Sequence, residues 1–362
     1  MEPATAERES EVRRARDLVL RYGWNATAFQ IVNPGMRHWF SAAGDAVIGY
    51  VRRAGVRVVA GAPVCDGERL EAVLREWEGE AARAGERVCY FGAAGRVHEV
   101  LGATPGHATV VLGAQPVWDP ADWAGIVDAR ASLRAQLARA RNKGVRVSEW
   151  PPERAERSGA LRACLREWLE TRGLPPLHFL VEPETLSDLS GRRIFVAERG
   201  ATGEVVGFAV LSPVPRRNGW LTEQFPRARV APNGTVELLL DAAVRAVAAD
   251  GAEYVTMGLV PLAAHNWNPR DYNPLWLCAV MAWVRAHGRR FYDFAGLDAF
   301  KSKFRPQGWE PIFAISNEAR FSPRTLWAIT EAFGGRSPVS LVATGLWRAA
   351  VQELRWLRGG AQ

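Results

Sequence analysis

The chain has 362 residues, more than one hydrophobic core usually serves, so two packed domains are expected. Hydrophobic residues make up 48% of the chain and charged residues 23%, a balance that excludes a disordered protein. The net charge of +7 is carried mainly by arginine and favours a polyanionic partner, although a GC-rich genome produces the same enrichment.

Cysteine and histidine usage predicts neither a metal site nor a cofactor. The four cysteines are scattered, without a CxxC motif or a Cys/His cluster at metal spacing, and they are expected to be small buried residues in a reducing compartment. Residues 1–23 predict a charged amphipathic helix without an apolar stretch long enough for a signal peptide or a membrane span. A cytoplasmic protein is therefore expected, with peripheral binding at the inner face of the membrane as an extension.

The first part of the chain alternates between predicted strands and helices. Short strands are predicted for TAFQIV, HWFSAAG and AVIGYVRRAGVRVVAGAPV, where apolar and small residues alternate around turn formers. Residues 66–85 have helical apolar spacing, and the strands RVCYFGA and ATVVLGAQPVWD follow. This order predicts an N-terminal domain over residues 1–128.

A basic helix is predicted next, from about Ala129 to Lys143, within a connecting segment 129–150. It is either a solvated connector or a ridge that binds the backbone of an RNA or anionic headgroups. The residues assigned to RNA binding are Arg134, Arg139, Arg141 and Lys143.

The order of strands and helices then begins again after Pro151 and Pro152. A helix, the strands RRIFVAE, VVGFAVLSPV and GWLTEQF, a helix over 237–250 and the strand YVTMGL predict a second domain, 151–320. The fold class is therefore α/β (α+β), with two similar domains in tandem. Residues 321–362 predict an amphipathic helical tail that lies on a membrane surface or packs its tryptophans on the core.

Polar residues beside turn formers mark a candidate active site in the second half. Glu223 ends a strand, Arg227 follows Pro226, and Asn233-Gly234 leads into a helix with Glu237 in its first turn. Two carboxylates and a guanidinium near helix N–H groups would suit an anionic ligand or an oxyanion. Taken singly, Glu237 is also an ordinary first-turn acid that complements the helix dipole.

The segment FKSKFRP places Lys301, Lys303 and Arg305 beside phenylalanines. Phosphate binding with base stacking is one interpretation, and a half-buried edge segment is the other. Among the scattered histidines, only His178, which follows Pro175 and Pro176, lies in a segment expected to face the site.

Together these segments resemble the catalytic C-terminal domain of the phosphatidylglycerol lysyltransferases, the multiple peptide resistance factor family, and especially its stand-alone members. The resemblance is carried by AVIGYVRRAGVRVVAGAPV, LRAQLARARNKGVRV, GLPPLHFLVE, APNGTVELLLDAA, YVTMGLVPLA and GLDAFKSKFRPQGWEP, in that order along most of the chain. It implies tandem GNAT-like acyltransferase domains joined by the basic helix. It also implies aminoacyl transfer from aminoacyl-tRNA, the co-substrate, to a lipid hydroxyl, with an anionic phospholipid or membrane surface as the second partner.

The resemblance implies roles for individual residues. The catalytic positions are Glu223, Arg227 and Glu237. The substrate-binding positions are His178, Asn233, Gly234, Thr235, Met257, Gly258, Lys301, Lys303 and Arg305. Pro226, Ala228 and Arg229 depart from the family pattern, so a re-tuned site is expected. No flippase region is recognised in the sequence, so the acceptor need not be phosphatidylglycerol. An acyl-CoA-dependent N-acyltransferase and a non-catalytic basic module that binds membranes or RNA stay open as alternatives.

Overall fold

One continuous mixed sheet organises the chain in the computed structural model, which describes residues 2–172, 177–200, 203–263, 265, 272–287 and 293–335. The strands are β1 (Arg37–Phe40), β2 (Val47–Arg53), β3 (Val56–Ala60), β4 (Arg87–Ala93), β5 (Ala108–Trp118), β6 (Val145–Trp150), β7 (Arg193–Arg199), β8 (Glu204–Val214), β9 (Gly219–Gln224), β10 (Tyr254–Thr256), β11 (Val260–Pro261) and β12 (Gly308–Ser316). Their spatial order is β1-β2-β3-β4-β12-β5-β10-β9-β8-β7-β6, with β11 paired to β5. The predicted α/β class is confirmed.

Helices cover both faces of this sheet. They are α1 (Glu2–Tyr22), α2 (Leu70–Arg83), α3 (Gly95–Leu101), α4 (Trp123–Asp128), α5 (Ala131–Asn142), α6 (Pro152–Glu156), α7 (Gly159–Glu170), α8 (Thr235–Ala249), α9 (Leu275–His287), α10 (Phe294–Ser302) and α11 (Pro323–Gly334). Within the described chain, no helix is both long and apolar enough to cross a bilayer.

The two halves repeat one order of elements, as the sequence predicts. In each half an antiparallel run of strands ends in a parallel pair, β3 with β4 and β9 with β10. A helix makes each parallel crossover, α2 in the first half and α8 in the second. The division into domains at residues 128 and 151 stays a prediction, and β12, from the predicted second domain, lies between β4 and β5 of the first half.

The cores follow the strand period of two. In β3, Val58 packs with α1 and α11 on one face, whereas Val59 packs with Trp77 of α2 on the other. In the second half α5 and α8 cover one face of the sheet, and α7 covers the opposite face. β3 is buried on both faces and is apolar except for Arg57, whose charge is paired with Glu80 and Glu86.

The strand predicted for TAFQIV is wrong, because Ala28–Val32 form a 3-10 helix whose five residues are all buried. Gln30 Nε2 donates to Ser212 Oγ at 3.0 Å, and Asn25 Nδ2 donates to Gly92 O at 3.1 Å. This 3-10 helix lies between the two halves, so every one of its side chains is buried, whereas an edge strand would bury only alternate side chains.

Two further sequence predictions meet the structure only in part. Cys65, Cys89 and Cys164 are buried, Cys278 is partly exposed, and all four thiols are free. The predicted C-terminal tail begins as α11, whereas residues 336–362 lie outside the described residues.

Candidate active site at the start of helix α8

The start of α8 is fixed by a glycine, as the sequence predicts. Gly234 has φ of +94°, and a Cβ at this position would lie 2.1 Å from the carbonyl oxygen of Gln136 in α5. Only glycine allows this conformation and this approach together. The basic helix α5 therefore packs directly on the first turn of α8, the turn that carries Glu237.

Glu237 forms an ion pair with Lys303, whose Nζ donates to the carboxylate oxygen Oε1. The two side chains are only 12% and 22% exposed. The ammonium group also lies over the ring of Phe300, 4.1 Å from its centroid, and 5.1 Å from that of Phe304. The structure thus brings together two predicted site residues from distant parts of the sequence.

The edge-segment interpretation of FKSKFRP is wrong, because its first residues end helix α10. Lys301 is buried there, and its Nζ donates to the backbone oxygens of Met257 at 2.6 Å, Gly258 at 2.9 Å and Leu259 at 3.1 Å. Burial lowers the pKa of Lys301 to about 7. Its three protons are engaged inside the protein, where they fix the loop between β10 and β11.

Glu223 has a different cationic partner and a different location. Arg192 Nε donates to Glu223 Oε1 at 2.8 Å, and Arg192 Nη2 donates to Asn33 Oδ1 at 2.6 Å. Glu223 lies at a register shift, since Val210 of β8 pairs with Gln224 whereas Leu211 pairs with Thr222. Glu223 and Glu237 thus bind different cations, Arg192 and Lys303, and their predicted meeting in one cleft stays a prediction.

Arg227 lies on an irregular segment that continues from β9. It forms a single antiparallel bridge with Gly207, and its side chain is exposed. Among the described residues the Arg227 guanidinium has no hydrogen bond or ion pair. It is open to a ligand, but it does not touch Glu223 or Glu237.

The basic helix α5 presents its cations in two directions. Arg139 and Lys143 are exposed, and Arg134 donates to the carbonyl oxygen of Asp128. Arg141 Nη2 instead lies 3.3 Å from Asp241 Oδ2, a buried carboxylate one turn after Glu237 in α8. Three of the four predicted RNA-binding residues thus stay at the surface without an ion pair among the described residues.

The other predicted site residues fall at separate places. Asn233 and Arg305 are exposed, whereas Thr235 is buried and its hydroxyl donates to Pro232 O at 2.7 Å. His178 packs against the end of α11, and its Nδ1 lies 2.8 Å from Glu182 Oε2. Pro175 and Pro176, which singled out this segment, lie outside the described residues.

The sequence missed a histidine beside Lys301. His265 Nε2 lies 2.8 Å from Asp298 Oδ1, and its ring stacks on Trp309 with 3.7 Å between centroids. Asp298 also accepts a hydrogen bond from Ser302 Oγ at 3.2 Å. Because His265 and Asp298 are distant in sequence and share no motif, only the fold reveals the pair.

The described residues contain no group of three or more His, Cys, Asp or Glu side chains that could hold a metal ion. The charged groups of this half that the structure describes include the Glu237–Lys303 pair, the His265–Asp298 pair and the exposed cations of α5. Such a set can bind charged substrate groups, orient a hydroxyl and accept a proton.

Comparisons with known proteins identify the family of the chain. Residues 16–316 match the family model described as phosphatidylglycerol lysyltransferase, C-terminal. A phosphatidylglycerol lysyltransferase of Bacillus subtilis is 25% identical over 301 residues, which cover 82% of this chain and 34% of the relative. A lysylphosphatidylglycerol biosynthesis bifunctional protein of Mycolicibacterium gilvum is 24% identical, over 79% of this chain and 26% of the relative.

A solved structure shares the fold. The C-terminal domain of a putative lysylphosphatidylglycerol synthetase from Agrobacterium fabrum superposes with a TM-score of 0.76 and 22% identity, covering 91% of this chain and 98% of that one. The chain spans about a third or less of the length of its two curated relatives. Because the family model matches most of its length, the chain belongs to the phosphatidylglycerol lysyltransferase C-terminal family.

Proposed function

We propose that this protein transfers an aminoacyl group from an aminoacyl-tRNA to a hydroxyl group of a phosphatidylglycerol-like lipid. Family membership supports a lipid aminoacyltransferase, and the curated relatives are named for lysine transfer and lysylphosphatidylglycerol synthesis. The exposed cations of the basic helix α5 support a tRNA as the donor.

The observation that carries the proposal is the contact between α5 and the acid–cation pair. Gln136 of α5 touches the glycine that begins α8, and Arg130 Nη1 donates to the backbone oxygen of Lys303 at 2.8 Å. A tRNA whose backbone binds along the exposed cations of α5 would therefore bring its aminoacylated end to Glu237 and Lys303.

The chemistry needs alignment and one proton acceptor. The donor ester is already activated, so the lipid hydroxyl attacks its carbonyl carbon, the new ester bond forms and the tRNA ribose oxygen leaves with a proton. The tetrahedral oxyanion between these steps would be stabilised by a nearby cation, and Lys303 is well placed beside Glu237.

We assign the acid and base roles to separate residues. The Glu237 carboxylate is held by Lys303 through one oxygen, so its second oxygen suits the α-ammonium group of the aminoacyl ester. We assign His265 the role of accepting the proton of the lipid hydroxyl. Asp298 fixes one ring nitrogen, and the other nitrogen has no partner among the described residues. Glu223, paired with Arg192, is assigned a structural role at the junction between the halves.

A lipid acceptor requires contact with a membrane surface. Helix α9 exposes large apolar side chains, with Leu275 at 80%, Val280 at 40% and Trp276 at 36% exposure. Such residues on one helix are typical of surfaces that enter the headgroup region of a bilayer. We assign α9 to this contact, which implies peripheral binding.

The test is transfer of a radiolabelled amino acid from charged tRNA into the organic phase in the presence of phosphatidylglycerol vesicles. We expect Glu237→Gln and His265→Gln each to lower the rate at least about 100-fold, because each removes a group that acts on the reacting ester. The matched control is Glu253→Gln, since Glu253 is exposed and its carboxylate has no partner among the described residues.

Two outcomes would contradict the proposal. One is no labelled lipid with any charged tRNA while circular dichroism shows a folded protein. The other is transfer from an acyl-CoA but not from charged tRNA, which would support the N-acyltransferase alternative. A full rate in His265→Gln with loss only in Glu237→Gln would instead refute the assignment of the base.

A further inference from the structure

A second cationic site lies in the first half, away from the candidate active site. A cavity opens there between the end of α1, the loop before α2 and the start of α3. Its walls include Tyr22, Trp24, Cys65, Gly67 and Arg96. Neither the sequence motifs nor the proposed transfer reaction makes use of this cavity.

Arg96 is the unusual member of the cavity wall. Its guanidinium lies 4.3 Å from the centroid of the Trp24 ring and is half-buried. Among the described residues, none of its N–H groups has a hydrogen-bond acceptor and no carboxylate forms an ion pair with it. A guanidinium has five donors, and a half-buried one normally finds a carboxylate, a carbonyl or a bound anion.

Two more arginines converge on the same place. Arg217 lies 5.0 Å from the centroid of the same Trp24 ring, and it is held by both oxygens of Glu310. Arg216 is exposed, and among the described residues its guanidinium makes one long contact, of 3.9 Å, with Asp66. Arg216 therefore keeps most of its hydrogen-bonding capacity for a partner at the cavity mouth.

The clustering is unfavourable as it stands. Burial and the charge of neighbouring Arg216 lower the pKa of Arg96, and Arg217 acts in the same direction, while Glu99 and Asp66 oppose them. A group of like charges with free N–H donors favours the binding of an anion.

We infer that the cavity lined by Trp24 and Arg96, with Arg216 at its mouth, binds a phosphate group. Arg96 presents two parallel N–H groups that match two phosphate oxygens, and Arg216 can add a third contact from the rim. Trp24 holds Arg96 flat, so less side-chain freedom is lost on binding. The proposed ligand is one phosphate group at the cavity mouth, either as a free ion or as the exposed phosphate of a lipid headgroup.

Inorganic phosphate is the first probe, titrated into the full chain by calorimetry at constant ionic strength in chloride. We expect Arg96→Gln to weaken phosphate binding about tenfold or more, the loss typical of one charge-assisted pair of hydrogen bonds. Arg216→Gln is expected to weaken it about threefold to tenfold. The control is Arg37→Gln, which removes the same charge from an exposed site on β1.

A second arm identifies the source of the phosphate. Vesicles of phosphatidylglycerol and of phosphatidylcholine are compared by co-sedimentation, with and without inorganic phosphate as a competitor. If inorganic phosphate releases the parent chain from phosphatidylglycerol vesicles but has no such effect on Arg96→Gln, the site binds the lipid headgroup. If inorganic phosphate binds the parent chain without changing its co-sedimentation with vesicles, the site binds the free ion. Both results support the site.

The inference is overturned if Arg96→Gln and Arg37→Gln bind phosphate equally, or if the parent chain binds none. It is also overturned if Arg96→Gln weakens only RNA binding. None of these measurements uses the transfer reaction, so failure of the phosphate site and failure of the proposed function are separate results. Thermal unfolding in phosphate-free buffer verifies that each variant is folded.

Discussion

Replacing Lys301 with methionine tests how the loop of the candidate site is held. Lys301→Met keeps the length of the side chain and removes three N–H donors from buried carbonyl oxygens. Each hydrogen bond contributes about 1 kcal/mol net, so the three together are worth about 3 kcal/mol. Removing the buried charge opposes this loss and is of similar size, so we expect a net change in stability within about 2 kcal/mol of zero at pH 7.

The pH dependence of the difference in stability between the parent and Lys301→Met gives the sharper result. Burial lowers the pKa of Lys301 from its ordinary 10.5 to about 7, so between these pH values the unfolded chain binds more protons than the folded one. Under this condition stability rises with pH. From pH 7 to pH 9 the parent should gain about 2 kcal/mol relative to Lys301→Met, because the variant has no group to titrate there.

The assay is denaturant unfolding of both proteins at pH 7, 8 and 9. Lys143→Met is the matched control, since Lys143 is exposed at the end of α5 and should change stability by no more than about 0.5 kcal/mol at any of these pH values. A difference between parent and Lys301→Met that stays constant with pH would refute the reasoning. It would mean that the three carbonyl oxygens keep the ammonium form as stable as it is in water.

Two other predictions concern α8. A double-mutant cycle with Glu237→Gln and Lys303→Met should give a coupling free energy of about 1–3 kcal/mol in denaturant unfolding, and additive effects would mean that the ion pair contributes nothing. Gly234→Ala should destabilise the protein by more than about 2 kcal/mol, because the new Cβ meets Gln136 O at a positive φ. Gly79→Ala in α2 is the control and should stabilise by about 0.5–1 kcal/mol, since a Cβ there meets nothing.

The sequence predicts much of the architecture because local rules agree with the fold there. Val56–Ala60 and Glu204–Val214 are mainly apolar segments near turn formers, and both are strands. Asn233-Gly234 predicts the start of α8, because a glycine that permits positive φ followed by an acid three residues later is typical of a helix N-terminus. These signals depend only on near neighbours in the chain.

The predictions that fail are those that depend on distant contacts. The TAFQIV segment has strand composition, but its place between the halves buries all five residues of the 3-10 helix. Glu223 lies four residues before Arg227, yet the carboxylate pairs with Arg192, thirty-one positions away. Spacing along the chain does not predict which distant group a charged side chain will pair with. The contact of His265 with Asp298 is a second example.

The candidate site of the second half is positioned by strands of the first. Trp118 Nε1 donates to Phe304 O at 3.0 Å, and Gln307 N donates to Val117 O at 3.0 Å. Directly afterwards the chain enters β12, which is hydrogen-bonded between β4 and β5.

Lys303 therefore reaches Glu237 from a segment whose next residues, Phe304 and Gln307, are hydrogen-bonded to β5 of the first half. If β5 were removed, the partners that hold Phe304 and Gln307 would go with it, and β12 would be left with unpaired backbone groups. The acid–cation pair is thus a property of the joined sheet, which explains why the two repeats must be packed together for the site to form.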